Sequence, residues 1–174
     1  VKQVAVVIGA LVAALVLQTT MAQMVVGGTA ALDLVLVVVV YVALAMGPTT
    51  GLLAGAVAGL AQDALSSGII GIGGLAKTVV GYVTGIVGTQ FIVARPLPRF
   101  VVFLVATAVH ALIFMGAYEL LGARKFGFPY DGVLGQGAVN GLVGVVAFQA
   151  IELLPGAVER RAANRGGRLK RRLD

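Results

Sequence analysis

The chain has 174 residues, of which 59% are hydrophobic and only 11% charged, with a formal net charge of +6. A soluble domain carries about a quarter charged residues, so a water-soluble globule is excluded, and so little chain remains outside apolar runs that a catalytic ectodomain is excluded too. Cysteine is absent, which removes disulfides and thiolate metal sites.

Apolar runs long enough to cross the ~30 Å hydrocarbon core of a bilayer recur along the chain. They predict an all-α integral membrane protein, a compact six-helix transmembrane bundle with spans near 2–24, 32–46, 49–65, 74–94, 98–121 and 132–154. Residues 1–157 form the membrane domain and residues 158–174 a basic cytoplasmic tail. The first span reads as uncleaved. The second is short and meets the third at Gly47-Pro48, a pair that breaks a helix because proline lacks the amide donor and disfavours helix just before it. The longest connection, 122–131, carries Phe126, Phe128 and Tyr130, suited to an interfacial belt.

Lys and Arg set the orientation. Ten of them (Lys2, Arg95, Arg99 and seven in the tail) fall on one side, and three (Lys77, Arg124, Lys125) on the other. The positive-inside rule then places both termini in the cytoplasm. The tail accounts for the basic balance, so nucleic acid is not implied; the leading reading is that the tail only fixes topology, and the alternative is attraction to anionic lipid.

The third and fourth spans carry the most pattern. Gly51, Gly55, Gly59 and Asp63 recur every four residues, and Lys77, Gly81 and Gly85 answer them on the next span. Glycine stripes let helix backbones approach closely in lipid, where no hydrophobic effect drives association. A turn centred near Ile70 would set Gly59 level with Gly81, Gly55 with Gly85, and Asp63 with Lys77 as an intramembrane ion pair. A structural pair and an ion relay both fit that geometry; commonly, intramembrane charges pair. On the sixth span Gly137, Gly141 and Gly144 repeat the small-residue stripe, and they serve helix packing or a partner helix.

Other polar residues within the spans are few. His110 on the fifth span is expected at the depth of Asn140, where an interhelical hydrogen bond is the natural use. One histidine makes no metal site, since metals want three or four ligands. Gln62 and Gln90 read as interhelical glue, and Glu119 and Glu152 as residues near helix ends. No phosphate loop and no nucleophile–base set is present, so neither an enzyme nor a cofactor is indicated.

The run Gly47-Pro48, Gly51, Gly55, Gly59, Asp63, Ser67-Gly68, Gly71, Leu75, Gly81-Tyr82 and Gly85 resembles the signature of the MreD family of bacterial rod shape-determining membrane proteins. The motif occupies this hairpin, and hydropathy agrees over the rest of the chain. The resemblance implies a non-enzymatic component of the cell-elongation machinery that regulates cell shape and peripheral peptidoglycan synthesis. It implies an MreC-like single-span partner, and through it MreB filaments, the RodA glycosyltransferase and a class B penicillin-binding protein. A glycine-lined face would accept the partner's helix. The bundle is also similar to the vitamin-binding S components of energy-coupling-factor transporters, with Ala10 and Ala14 resembling their docking stripe. The lack of tryptophan and the scarcity of polar groups for a pocket weigh against that alternative.

Overall fold

A computed structural model describes residues 2–22, 32–66, 68–91, 93, 95–122 and 130–170. Six helices run in chain order: α1 (Lys2–Ala22), α2 (Leu34–Met46), α3 (Pro48–Leu65), α4 (Ile72–Gln90), α5 (Pro96–Leu120) and α6 (Tyr130–Lys170). No strand occurs among the described residues. The expected all-α bundle is therefore present, each helix close to its predicted place. The expected aromatic belt at Phe126 and Phe128 lies outside the described residues, as does the side chain of Tyr130. α6 continues as helix through the segment expected as a separate basic tail.

Local chemistry explains the breaks. Gly47 sits at φ +89, a left-handed value that a side chain resists, and Pro48 opens α3 at a position where its missing amide costs nothing. Gly71, at φ +107, caps the start of α4. Pro96 opens α5 in the same way as Pro48 opens α3.

α2 is the centre of the molecule. Its sequence, LVLVVVVYVALAM, is apolar all round, which is the pattern of a helix with no solvent face. One cluster joins Val35, Val39 and Val42 to Leu11 and Ala14 of α1 and to Ala54 and Ala58 of α3. A second joins Leu36, Val37 and Val40 to Val80 of α4, Phe103 and Ala106 of α5, and Phe148 of α6. The outer surface is apolar as well, with Val6, Ile8, Val57, Leu97, Leu112, Leu142 and Val146 all more than half exposed. In water such a surface would aggregate; in lipid it faces its solvent. Three helical segments are long and apolar enough to cross a membrane: Ile72–Gln90, Pro96–Leu120 and Asp131–Leu153. Val4–Thr20 and Leu34–Met46 are shorter apolar helices.

Candidate functional site

The length of α2 creates the site. Thirteen residues give a helix of about 20 Å at 1.5 Å per residue, roughly 10 Å less than a bilayer core requires. α2 is five residues shorter than α3, and its first turn is buried, with Asp33, Val35 and Leu36 shielded from solvent. A helix start leaves backbone N–H groups without partners. At membrane depth such groups are tolerated only where protein satisfies them. Side chains from four other helices meet that demand, directly or through one another.

Asp33 is the N-cap, its Oδ1 accepting from the Leu36 amide at 2.9 Å. Gln18 of α1 brackets the same turn, donating from Nε2 to the Leu32 carbonyl at 2.9 Å and accepting the Leu34 amide at 2.8 Å. Asn140 of α6, fully buried, accepts the Asp33 amide at 3.0 Å and donates to Thr107 Oγ1 of α5 at 3.0 Å. The charge on Asp33 is met by Lys77 of α4, Nζ to Oδ2 at 3.0 Å. Lys77 also reaches His110 Nε2 at 3.2 Å. With Lys77 carrying its proton, Nε2 is the acceptor, which assigns the imidazole proton to Nδ1. Asp33 is 6% exposed and Lys77 3%, so the pair is buried where the start of α2 meets α1, α4 and the middle of α5 and α6.

This arrangement corrects the expected Asp63–Lys77 pair. Asp63 instead accepts two backbone amides at the start of α4, those of Gly71 at 2.8 Å and Gly74 at 3.0 Å. It is a capping carboxylate placed where the helix macrodipole favours negative charge. His110 likewise meets Lys77 rather than Asn140. Gln62 keeps a buried Oε1 without a hydrogen-bond partner, and Gln90 and Glu119 are exposed. Neither Asp33 nor Gln18 stands out by local spacing. The one available signal is an Asp directly ahead of an apolar run, an N-cap pattern.

The glycine stripes do pack helices, in a register about two turns away from the expected one. Gly51 faces Gly81, Gly55 faces the Lys77 backbone, Gly59 faces Gly74, and Gly85 faces Pro48. A methyl group at Gly59 would lie 2.6 Å from Gly74 Cα, and one at Gly51 would lie 2.6 Å from Ala43 Cβ. The offset goes with Asp63 capping the start of α4 through the Gly71 and Gly74 amides, which brings that helix start level with Asp63. On α6, Gly137 lies against Leu104, Gly141 against Phe100 and Gly144 against Phe103, all of α5. Every glycine of the three stripes is thus used inside the bundle. Gly9, Gly116 and Gly135 have open space instead.

Two clefts remain. An open groove of about 230 Å³ runs between α4 and α5, lined chiefly by Val80, Val83, Val87, Val101 and Val105. At the end of the bundle where α4 stops and α5 begins, a second cleft of about 400 Å³ lies beside Arg99. Arg99 bonds the Val93 carbonyl at 3.1 Å and Glu152 at 2.5 Å, with its guanidinium 4.4 Å from the centre of the Phe148 ring. Among the described residues no group of His, Asp or Glu side chains is suited to hold a metal.

A family model described as rod shape-determining protein MreD matches residues 2–137. No curated protein and no solved structure matches the chain. The match begins in the first turn of α1 and takes in the α3–α4 hairpin, both its glycine stripes, Asp33, Lys77 and His110. The chain therefore belongs to the MreD family, the rod shape-determining membrane proteins.

Proposed function

We propose that this protein is a non-enzymatic scaffold of the bacterial inner membrane that receives the single transmembrane helix of an MreC-like partner in its α4–α5 groove. Through that partner it couples to MreB, RodA and a class B penicillin-binding protein. Family membership supports shape determination. The observation that carries the docking reading is the apolar groove left open on the outer surface between α4 and α5. The striped glycines are occupied by α2, α4 and α5, so a partner helix needs another seat. The α4–α5 groove supplies one, two turns long and walled by β-branched side chains with restricted rotamers, which lose little entropy on contact. In lipid, association of this kind runs on packing rather than on apolar burial. The excess of Lys and Arg near Lys2, Arg95 and the C-terminal segment supports cytoplasmic termini and a multi-pass topology.

Copurification in detergent tests the reading. Val83→Trp and Val105→Trp fill the groove from exposed positions and are expected to release the MreC-like protein while leaving thermal unfolding of the scaffold unchanged. Equal bulk at Val12 on α1, also exposed, is expected to leave the complex intact. Retention of the partner by both groove variants, or its loss with Val12→Trp, would overturn the assignment.

A further inference from the structure

The cleft beside Arg99 has features that partner docking does not use. Its walls are Leu44 at the end of α2, Gly88 of α4, Phe91 and Val93 in the connection to α5, and Phe148 of α6, with Arg99 at its base. Arg99 is 6% exposed, an uncommon degree of burial for a side chain that stays charged. Its Nε is held by the Val93 carbonyl and Nη2 by Glu152. Nη1 has no acceptor among the described residues, although the guanidinium lines the cleft. Phe148 supports one face of the guanidinium plane and so fixes its orientation. The result is a rigid cation with part of its donor fork open to a cavity.

The position of the cleft identifies the occupant. It lies where Ile72–Gln90 ends and Pro96–Leu120 begins, the level at which a membrane-crossing helix leaves the hydrocarbon and meets headgroups. A headgroup phosphate presents the oxygen acceptors that guanidinium binds best. The apolar walls suit the glycerol backbone and the first methylenes below it. Glu152 is the competing anion, but its side chain is 56% exposed, so water can take over its solvation when a phosphate arrives.

We propose that this cleft binds the phosphate of a phospholipid headgroup, with Arg99 as its principal ligand and Glu152 as the displaceable counter-ion.

Native mass spectrometry of the full chain in detergent tests this, with phosphatidylglycerol and diacylglycerol of matched acyl chains as probes. Phosphatidylglycerol should be retained in preference to diacylglycerol, and Arg99→Gln should lower its retention about tenfold, as expected for loss of a charge-assisted hydrogen bond. Arg99 also supports the fold, so two variants that keep it separate the roles. Thr89→Trp, from an exposed position on the rim, should block retention without changing thermal unfolding. Glu152→Gln should raise retention, because the guanidinium then has no competing carboxylate. Equal retention of the two probes would show an apolar crevice without phosphate recognition and overturn the proposal. Unchanged retention in both Thr89→Trp and Glu152→Gln would also overturn it. Displacement of phosphatidylglycerol by millimolar inorganic phosphate would point to a free-anion site and reject the lipid.

Discussion

Asp33 and Lys77 form the costliest contact in the molecule to break. Two buried charges attract each other mainly to offset their own desolvation, and removing one strands the other at about 3–5 kcal/mol. Lys77→Met is expected to destabilise the protein by that order, and Asp33→Asn by a similar amount while keeping a capping oxygen. The double variant should then cost less than the two singles together, with a coupling of about 1–3 kcal/mol, measured by unfolding in mixed micelles. The same cycle between Asp63 and Lys77 should show additivity, since Asp63 bonds only α4 amides. Asp63→Ala by itself should cost about 1–2 kcal/mol, the worth of a helix cap. Of these residues, Lys77 and Asp63 were visible as rare charges in apolar runs. Their partners were not. Asp33 is separated from Lys77 by a whole hairpin, and its role depends on α2 stopping inside the bundle, which no local spacing records.

At the level of helices, the α3–α4 hairpin shows what the glycine stripes are for. Their four-residue period was readable because close backbone contact leaves room for nothing larger. Their register was not, since it depends on Asp63 drawing the start of α4 level with itself. Gly55→Leu and Gly59→Leu would drive a side chain into the Lys77 and Gly74 backbones. Backbone cannot swing aside as a flexible side chain does, so the penalty should exceed the about 1–3 kcal/mol of ordinary overpacking. Both variants are expected to lose folded protein in fluorescence-detected size-exclusion chromatography. Gly9→Leu and Gly116→Leu, which meet open space, should elute as wild type. A lost partner in the first two variants would thus report a lost fold, and only the groove variants speak to docking. α2 follows the same logic: its all-round apolar sequence announced burial, while its short length, set by Gly47-Pro48 at one end and Asp33 at the other, created the need for polar partners.

For the whole molecule, the design is an apolar exterior, an apolar central helix and a few buried polar side chains gathered around the start of that helix. The apolar part of that pattern was legible from composition, and it agrees with membership of the MreD family. An apolar groove runs along the outward surface between α4 and α5, the seat proposed for the partner helix. The chain contains no cysteine, so single cysteines can be introduced one at a time in native membranes against a cysteine in the transmembrane helix of the MreC-like protein. Val83→Cys and Val105→Cys are expected to form disulfide crosslinks to it, and Val12→Cys and Val146→Cys, exposed elsewhere on the bundle, are not. Crosslinks from Val12 or Val146 with none from the two groove positions would contradict the account.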